Sequence, residues 1–304
     1  MKVLLIGSSG IVGSGVARYF LDQSDRLIAV SRKRPDISGD GMEFCPIDLL
    51  ENSSTERLVD LIDESLDGVI YNAGLLPART SQPSFSDMCN VNVRGLEVLL
   101  NHIANHHPLL PVVHISGFTA MKTLPDINES LPYTNPNSYY TTKVFAELVC
   151  NQYRLSSELA ISNLRISAPF GYDLSVPSVL PIFLKKALSN QDIVLQGSGT
   201  RQQTFTFSED IGFACKKAID VKFSGALNMT SDFRYTMHEL AEKIVSSIDG
   251  CQSKIIFSGD TDPQEGAESF VDISKAKNQI GYYPLFSFET AIRRVVDVVR
   301  GVRL

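Results

Sequence analysis

The segment Val3–Gly13 constrains the fold of this chain more than any other part of the sequence. Four apolar residues, Val3–Ile6, are followed by Gly7-Ser8-Ser9-Gly10-Ile11-Val12-Gly13, which indicates a buried strand, a glycine turn and the start of a helix. Glycine permits the turn, the approach of a ligand to the backbone and close packing of helix on strand. Because the first N–H groups of a helix attract anions, Gly7, Ser9, Gly10, Ile11 and Gly13 are predicted to hold the pyrophosphate of a dinucleotide. Their GxxGxxG spacing is a variant of the commoner GxGxxG pattern.

Further apolar runs alternate with helical patterns through the first half of the chain. The other candidate strands are Leu27–Val30, Val69–Tyr71, Val112–Ile115 and Ile161–Leu164, and helices are predicted at Val12–Leu21, Glu56–Glu64, Val93–Asn105 and Tyr139–Leu155. Apolar strands separated by helices are typical of a parallel sheet covered on both faces. We therefore predict an α/β fold with a doubly wound, Rossmann-type parallel sheet, in a dinucleotide-binding domain of residues 1–165.

The pattern changes after residue 165, where Pro169, Pro177 and Pro181 interrupt the alternation. Shorter strands are mixed with helices predicted near Ser178–Ser189, Glu209–Ile219, Thr236–Ser246 and Phe288–Gly301. Residues 166–304 are therefore predicted to form mainly a smaller, mixed α/β domain that binds the substrate, with some segments returning to the Rossmann domain.

Composition excludes several classes of function. A formal net charge of -6 offers no basic surface for nucleic acid, and no apolar stretch reaches the ~18 residues that span a membrane. The five cysteines are widely spaced, without a CxxC pair, at Cys45, Cys89, Cys150, Cys215 and Cys251. That pattern favours free thiols in a reducing compartment over disulfides or a metal site. The chain is expected to be cytoplasmic and to bind no metal.

The residue after the second strand bears on the choice of cofactor. An acidic residue there would bind the ribose hydroxyls of NAD, whereas arginine accommodates the 2′-phosphate of NADP. This chain has Ser31-Arg32-Lys33-Arg34 and no carboxylate before Asp36. Arg32 therefore favours NADP, with NAD still possible; the alternative is that this loop is only a solvated basic segment.

Tyr139 and Lys143 are four residues apart in a helical segment, so both side chains lie on one face. The lysine ammonium can then lower the pKa of the phenol, and a tuned phenol can exchange a proton while a hydride moves to or from a nicotinamide ring. His114, in a candidate strand, is interpreted as a packed core residue rather than a catalyst.

These features resemble the extended branch of the short-chain dehydrogenase/reductase family, the NAD(P)-dependent epimerase/dehydratase group that acts mostly on nucleotide sugars. The resemblance covers nearly the whole chain. Besides the glycine loop it rests on Cys45–Leu49, Tyr71–Gly74, Asn90–Gly95, Pro136–Glu147, Asp272–Ala276 and Ile280–Pro284. It implies that the cofactor is contacted by Asp48, Leu49, Ala73, Gly74, Asn92, Tyr139 and Lys143. It also implies a homodimer formed through a four-helix bundle.

The chain departs from this family at the catalytic hydroxyl. The family usually carries Ser-Ser or Ser-Thr, whereas this chain has Ser116-Gly117-Phe118-Thr119. Gly117 falls at the catalytic position, so either Ser116 or Thr119 is expected to polarise the substrate oxygen. Sugar dehydratases of the family place Asp-Glu just after this hydroxyl, and Phe118-Thr119 lacks both carboxylates. Dehydration is therefore not expected.

The substrate side departs as well. Gln203 stands where the family often has a diphosphate-binding arginine, Arg201 lies two residues earlier, and Asp262 takes the place of a second arginine. Losing two charge-assisted contacts would weaken diphosphate binding by about 1.5–3 kcal/mol each. Either the substrate lacks a diphosphate, or Arg201 and Arg79 hold it differently. Ala168 replaces an asparagine that often contacts the sugar.

The sequence thus predicts an enzyme that transfers a hydride at a carbinol or ketone carbon of a nucleotide-sugar-like substrate. Arg32 favours a keto-sugar reductase or dehydrogenase, because NADPH is usually a consumed reductant. The main alternative is an epimerase that keeps its cofactor bound. A non-catalytic protein that senses the cofactor is the third and least favoured hypothesis.

Overall fold

The computed structural model describes residues 1–37, 40–51, 53–77, 82–118, 126–132, 137–268 and 270–302. The strands in these ranges are β1 (Lys2–Ile6), β2 (Arg26–Ser31), β3 (Met42–Pro46), β4 (Gly68–Tyr71), β5 (Val112–Gly117), β6 (Asp126–Ile127), β7 (Ile161–Ile166), β8 (Pro169–Phe170), β9 (Ile193–Leu195), β10 (Gln202–Phe207), β11 (Gly225–Met229), β12 (Phe233–Thr236), β13 (Ile255–Phe257) and β14 (Phe270–Val271).

The helices follow the same chain order. They are α1 (Ile11–Asp22), α2 (Ser54–Val59), α3 (Phe85–Cys89), α4 (Gly95–His106), α5 (Ser138–Ser156), α6 (Val179–Leu188), α7 (Ser208–Asp220), α8 (Met237–Ser246), α9 (Ser274–Ile280) and α10 (Phe288–Val299). A π-helical turn, Asn90–Arg94, joins α3 to α4. No helix in the described ranges is long and apolar enough to cross a membrane.

A seven-stranded parallel sheet in the described part of the chain has the order β3-β2-β1-β4-β5-β7-β11. The predicted doubly wound parallel sheet is therefore confirmed. The chain order reverses between β1 and β4. In such sheets, ligands bind in the crevice at the carboxyl ends of the two strands next to the reversal.

Two strands of the large sheet were not predicted. β3 lies at the edge, and its side chains are exposed or half-buried, so it lacks the apolar run that marked the other strands. β11 comes from the second half of the chain and pairs in parallel with β7. Its sequence, GALNM, carries too little periodicity to indicate a strand by itself.

Two predicted helices differ from those observed. The helix predicted over Glu56–Glu64 ends at Val59, after which Leu61 and Ile62 donate to carbonyls only three residues back and close turns instead. The helix predicted over Val93–Asn105 is α4, which starts at Gly95 behind the π-helical turn. The long helix that carries Tyr139 and Lys143 was predicted well: α5 is capped at Asn137, whose side chain accepts from the Tyr140 N–H at 2.9 Å.

Three apolar cores, formed by residues within the described ranges, hold these layers together. One lies between the large sheet and α1, α7 and α9, and the second between its other face and α2, α4 and α5. The third is formed by α6, α8, α10 and strands β9 and β10, and is rich in phenylalanine. Because α7, β11 and α9 belong to the first core, segments beyond residue 165 complete the large sheet and one layer that covers it.

Candidate active site

A cleft of about 510 Å³ opens at the carboxyl ends of the central strands. It brings together most of the residues singled out in the sequence: Gly7, Ser9, Gly10, Ile11, Arg32, Asp48, Leu49, Ala73, Gly74, Ser116, Tyr139, Lys143, Ala168 and Gln203. Gly13, Asn92 and Arg201 do not line it. Arg79 and Thr119 lie outside the described residues.

The three glycines of the first loop are required for different reasons. Gly7 has a φ of +87°, and a Cβ there would approach the Ala73 backbone nitrogen to 2.6 Å. A Cβ on Gly13 would overlap the Gly7 carbonyl oxygen. Gly10, in contrast, has an ordinary φ of -76°, and a Cβ on it would meet nothing within 4 Å. The fold therefore needs Gly7 and Gly13, while the space beside Gly10 suits a ligand.

Gly10 is also the N-cap of α1, and no side chain caps that helix. The N–H groups of its first turn consequently point toward the cleft with the positive end of the helix dipole. Phosphate oxygens would satisfy them. The residues present thus fit a dinucleotide whose pyrophosphate lies over Gly10 and Ile11.

A second loop, after β2, also reaches the cleft. Its first residue, Arg32, lines the cleft with an exposed side chain. The turn beneath it is fixed by Ser31, whose hydroxyl donates to the Lys33 carbonyl at 2.7 Å and lies 3.0 Å from the hydroxyl of Ser8. Among the described lining residues, the cations are Arg32 and Lys143. Arg32 is therefore the cation placed for the adenosine end of a dinucleotide.

Lys143 is 4% exposed, and its Nζ donates to the carbonyl of Ile115 on β5 at 2.9 Å. Burial lowers its pKa to about 8, and the negative charge of Glu147 opposes that shift. For Tyr139, burial raises the phenol pKa, with a smaller contribution from Tyr140. The lowering of the Tyr139 pKa expected from the sequence is thus wrong for the protein alone, because burial dominates and the Lys143 ammonium donates to a backbone oxygen instead.

Ser116 is 1% exposed and lines the cleft, and in the described part of the structure its Oγ has no hydrogen-bond partner. A buried hydroxyl without a partner is unfavourable unless a bound group pairs with it. Ser116 therefore fits the role of the oxygen-polarising donor. Gly117 adds open space beside it, and Phe118 belongs to the apolar core.

Asn92 lies behind the cleft wall rather than on it, and it is fully buried. Its Oδ1 accepts from the Leu75 N–H at 2.7 Å, and its Nδ2 donates to Thr142 Oγ1 at 2.8 Å. The Thr142 hydroxyl in turn donates to the Tyr139 carbonyl at 2.7 Å. Asn92 therefore connects the loop after β4 to α5, and its expected contact with the cofactor stays a prediction.

The substrate side holds fewer charges than expected. Gln203 and Ala168 line the cleft. Arg201, however, forms an ion pair with Asp262 at 3.0 Å and donates to Gln264 Oε1 at 2.7 Å. Arg201, the candidate substitute for the arginine missing at Gln203, thus binds Asp262, which stands at the position of the second missing arginine.

Some cleft residues escaped the sequence reasoning. Asn72 lines the cleft and donates to the Gly7 carbonyl at 2.8 Å, which fixes the glycine loop against β4. Tyr140 and Ser167 also line it. The sequence offered one indication for each of them: Tyr140 is next to Tyr139, and Ser167 directly follows β7.

Comparison with known proteins agrees with this architecture. The profile of the NAD dependent epimerase/dehydratase family matches residues 3–229. A low-salt glycan biosynthesis protein of Haloferax volcanii is 24% identical over 99% of both chains. A UDP-N-acetyl-alpha-D-glucosaminuronate decarboxylase of Bacillus cytotoxicus is 23% identical over 99% of this chain and 98% of its own.

Solved structures with the same fold include UDP-glucuronic acid 4-epimerase from Bacillus cereus in complex with UDP-glucuronic acid and NAD. It superposes with a TM-score of 0.80 at 20% identity and covers 99% of both chains. UDP-N-acetylglucosamine 4-epimerase from Methanobrevibacter ruminantium gives a TM-score of 0.83 at 20% identity, covering 99% of this chain and 98% of that one. Since the family profile spans most of the sequence, and the strands, glycine loop and Tyr139/Lys143 helix occupy the expected places, the chain belongs to the NAD dependent epimerase/dehydratase family.

Proposed function

We propose that this protein is an epimerase that acts on a nucleotide-activated sugar and retains its nicotinamide dinucleotide through the reaction. The carrying observation is that Tyr139, Lys143 and Ser116 line the same cleft as a glycine loop with space for a pyrophosphate. The names of similar proteins favour net isomerisation over the net reduction favoured by the sequence alone, since several of them are sugar 4-epimerases.

In this mechanism the reacting group is a carbinol, H–C–OH, of the sugar. A bound nicotinamide dinucleotide supplies a hydride acceptor that can later return the hydride. The Tyr139 phenolate accepts the hydroxyl proton as the hydride leaves the same carbon, which gives a ketone. Ser116 Oγ donates a hydrogen bond to the ketone oxygen, and the Lys143 ammonium favours the phenolate form of Tyr139.

With a dinucleotide held over Gly10 and Ile11, a hydride returned to the other face of the ketone would invert the carbon, and Tyr139 would give the proton back to the oxygen and so return to its starting state. Elimination of water would need a further acid and base beside the hydroxyl donor. Phe118 is apolar and buried at the first of the two positions concerned. The described residues therefore favour epimerisation over dehydration.

We propose NADP rather than NAD as the preferred cofactor. The support is Arg32, which lines the cleft directly after β2, where Ser31 and not a carboxylate ends the strand. A 2′-phosphate would pair with its guanidinium. This preference is independent of net redox, because a retained cofactor is not consumed.

The test is to supply the purified protein with NADP or NAD and a panel of nucleotide sugars, including uronic acids. Formation of an isomer without a net change in nicotinamide absorbance is expected. Stoichiometric loss of NADPH with a keto-sugar would instead establish a reductase. Dinucleotide binding with no turnover of any kind, unaffected by Tyr139→Phe, would support a cofactor-sensing protein.

We further propose that the protein is a homodimer in which α5 contributes to the interface. Phe145, Leu148 and Leu155 lie along one stripe of this helix and are 50%, 53% and 75% exposed. Light scattering should report a dimer for the wild type and a monomer for Leu148→Glu. A wild-type monomer at micromolar concentration would contradict this assembly.

A further inference from the structure

Polar side chains interrupt the apolar core beneath α5. His114 and Ser116 alternate along β5, and Asn163 and Arg165 alternate along the neighbouring β7, so all four share one face of the sheet. The register places His114 beside Asn163 and Ser116 beside Arg165. All four are buried. We refer to three of them, His114, Asn163 and Arg165, together with Glu147 on α5, as the inner polar cluster.

Glu147 brings the cluster to the catalytic helix. It lies one helical turn after Lys143, on the same face, and is 1% exposed. Arg165 donates Nε to both carboxylate oxygens at 3.1 Å and Nη2 to one of them at 2.7 Å. The remaining terminal nitrogen of Arg165 donates to the Glu129 carbonyl at 3.2 Å. The carboxylate of Glu147 is therefore fixed next to the turn that carries the Lys143 ammonium.

The hydrogen bond between His114 and Asn163 implies one tautomer of the imidazole. Its Nδ1 lies 2.8 Å from Asn163 Oδ1, an atom that can only accept, so Nδ1 carries the hydrogen and Nε2 is a bare acceptor. That Nε2 is buried and has no hydrogen-bond partner in the ranges that the structure describes. Burial first, and the Lys143 charge second, lower the pKa of His114 to about 4. The imidazole is consequently a neutral acceptor at every pH at which the protein would work.

A second buried atom without a partner in these ranges, Ser116 Oγ, is two residues farther along the same face of β5. Strand geometry puts the two Cα atoms about 6.6 Å apart. One water molecule with two hydrogen bonds of about 2.8 Å joins atoms up to about 5.6 Å apart, so it bridges these side chains if their polar ends converge by about 1 Å from the Cα spacing. The Lys143 ammonium has three donors, and its hydrogen bond to Ile115 uses one of them. His114, Ser116 and Lys143 together offer the three polar partners that a buried water typically has.

We propose that His114 is a positioning residue, holding through its Nε2 a buried water that is shared with Ser116 Oγ and accepts a hydrogen bond from Lys143. This water gives the buried ammonium a second acceptor and orients the Ser116 hydroxyl toward the cleft. The proposal rests on the catalytic role given to Lys143 and Ser116 under the proposed function.

Other ionisable groups surround this place. Tyr71 lies beside His114 in the register of β4 and β5, Cys150 and Tyr139 are on α5 with Lys143, and Arg165 is on β7. Burial raises the pKa values of Tyr71, Tyr139 and Cys150, so in the protein without cofactor these groups stay neutral over the pH range of the test. Lys143 is thus the member of the set expected to titrate between neutral and mildly basic pH.

The test follows the titration of the Lys143 side chain by nitrogen-15 NMR, with its signal assigned by its loss in Lys143→Met. We expect His114→Leu to shift the Lys143 midpoint downward by about one pH unit, a tenfold weaker hold on the proton. His114→Gln, which restores an acceptor, should titrate close to wild type. His102→Leu, on α4 away from the cleft, is the control and should leave the midpoint unchanged. An unmoved midpoint in folded His114→Leu would overturn the proposal.

If His114→Leu does not fold, the wild type decides. We expect the imidazole nitrogen shifts of an Nδ1–H tautomer. We also expect a crystal structure to show one ordered water between His114 Nε2 and Ser116 Oγ. An Nε2–H tautomer or a dry site would overturn the proposal.

Kinetics give a further readout. The pH at which kcat falls on the basic side should be lower in His114→Leu than in the wild type, whereas a purely structural role would lower kcat by the same factor at all pH values. Absence of isomerase activity would refute the proposed function and leave the two NMR measurements and the crystal structure as the decisive results.

Discussion

The Lys143 Nζ donates a 2.9 Å hydrogen bond to the Ile115 carbonyl, and this bond joins α5 to β5 at the wall of the cleft. Ser116 is the next residue of β5, and Tyr139 lies one turn before Lys143 on α5. One hydrogen bond therefore helps to set the spacing of the three proposed catalytic groups. It also holds a charge in a buried place, which weakens the fold while serving the reaction.

Lys143→Met is expected to lower kcat at least about 100-fold, because the phenolate of Tyr139 loses its neighbouring cation. Stability should respond differently. The folded-state pKa of Lys143, about 8, lies below its ordinary value of 10.5. Between these two pH values the unfolded chain binds the proton more strongly, so the free energy of unfolding of the wild type should rise with pH. Urea unfolding of Lys143→Met should lack that rise.

The control for this variant is Lys143→Arg, which keeps the positive charge and should retain more turnover than Lys143→Met. Equal losses in both variants would mean that the geometry of the ammonium matters more than its charge. A Lys143→Met protein with wild-type kcat would remove Lys143 from the mechanism.

Gly10→Ala and Gly13→Ala should separate ligand binding from folding. A Cβ on Gly10 enters open space, so the variant should keep its melting temperature and bind the dinucleotide at least about tenfold more weakly, since the methyl group would enter the space proposed for the pyrophosphate. A Cβ on Gly13 overlaps the Gly7 carbonyl oxygen, so that variant should melt at a lower temperature even without ligand. Calorimetric binding and thermal unfolding measure the two effects, and unchanged affinity in Gly10→Ala would contradict the placement of the pyrophosphate.

Local signals in the sequence were sufficient for the glycine loop and for the Tyr139/Lys143 helix. Each is specified within one strand, turn or helix, so spacing alone predicts which side chains share a face. The strand β11 was missed because its five residues acquire their role by pairing with β7, about sixty positions earlier in the chain. Tertiary pairing, and not local propensity, decides such a strand.

The contacts around the candidate site were harder to predict than the positions of Tyr139 and Lys143. Arg201 binds Asp262 across 61 positions of sequence, so a side chain proposed for a phosphate is instead held by a carboxylate. Asn92, in the π-helical turn, binds Leu75 and Thr142, two contacts that the sequence did not predict. Desolvation of Tyr139, likewise, depends on the whole cleft wall and is not encoded in the four-residue spacing.

Arg32→Ala should lower the affinity for NADP and leave the affinity for NAD nearly unchanged. A charge-assisted contact contributes about 1.5–3 kcal/mol, which corresponds to a loss of roughly 10-fold to 150-fold for NADP. Arg34→Ala is the matched control, since Arg34 is exposed in the same loop but does not line the cleft. Titration of both cofactors by calorimetry measures the ratio. Wild-type protein that binds NAD as tightly as NADP would refute the role proposed for Arg32.

Arg294 connects the last helix to the Rossmann layer. It donates Nε and Nη2 to the two carboxylate oxygens of Glu209, both at 3.0 Å, and Nη2 also to Asp22 at 2.9 Å. Glu209 is 1% exposed, and the Tyr172 hydroxyl donates to it as well. The Arg294–Glu209 ion pair thus connects α10 to α7, and the bond from Arg294 to Asp22 connects both helices to α1.

Arg294→Ala should lower the free energy of unfolding by about 3–5 kcal/mol at neutral pH, because it leaves the Glu209 carboxylate buried without a cation. Burial already raises the pKa of Glu209. Loss of Arg294 raises it further, so the folded variant takes up a proton more readily than the unfolded chain and the deficit should shrink as pH falls. Arg293→Ala, exposed on the same helix, should change stability by no more than about 0.5 kcal/mol. Urea unfolding of the two variants at neutral and mildly acidic pH checks both points. A loss of unfolding free energy in Arg294→Ala that does not depend on pH would indicate lost packing of the arginine side chain rather than an unpaired charge. In that case, adding Glu209→Gln to Arg294→Ala would not recover stability.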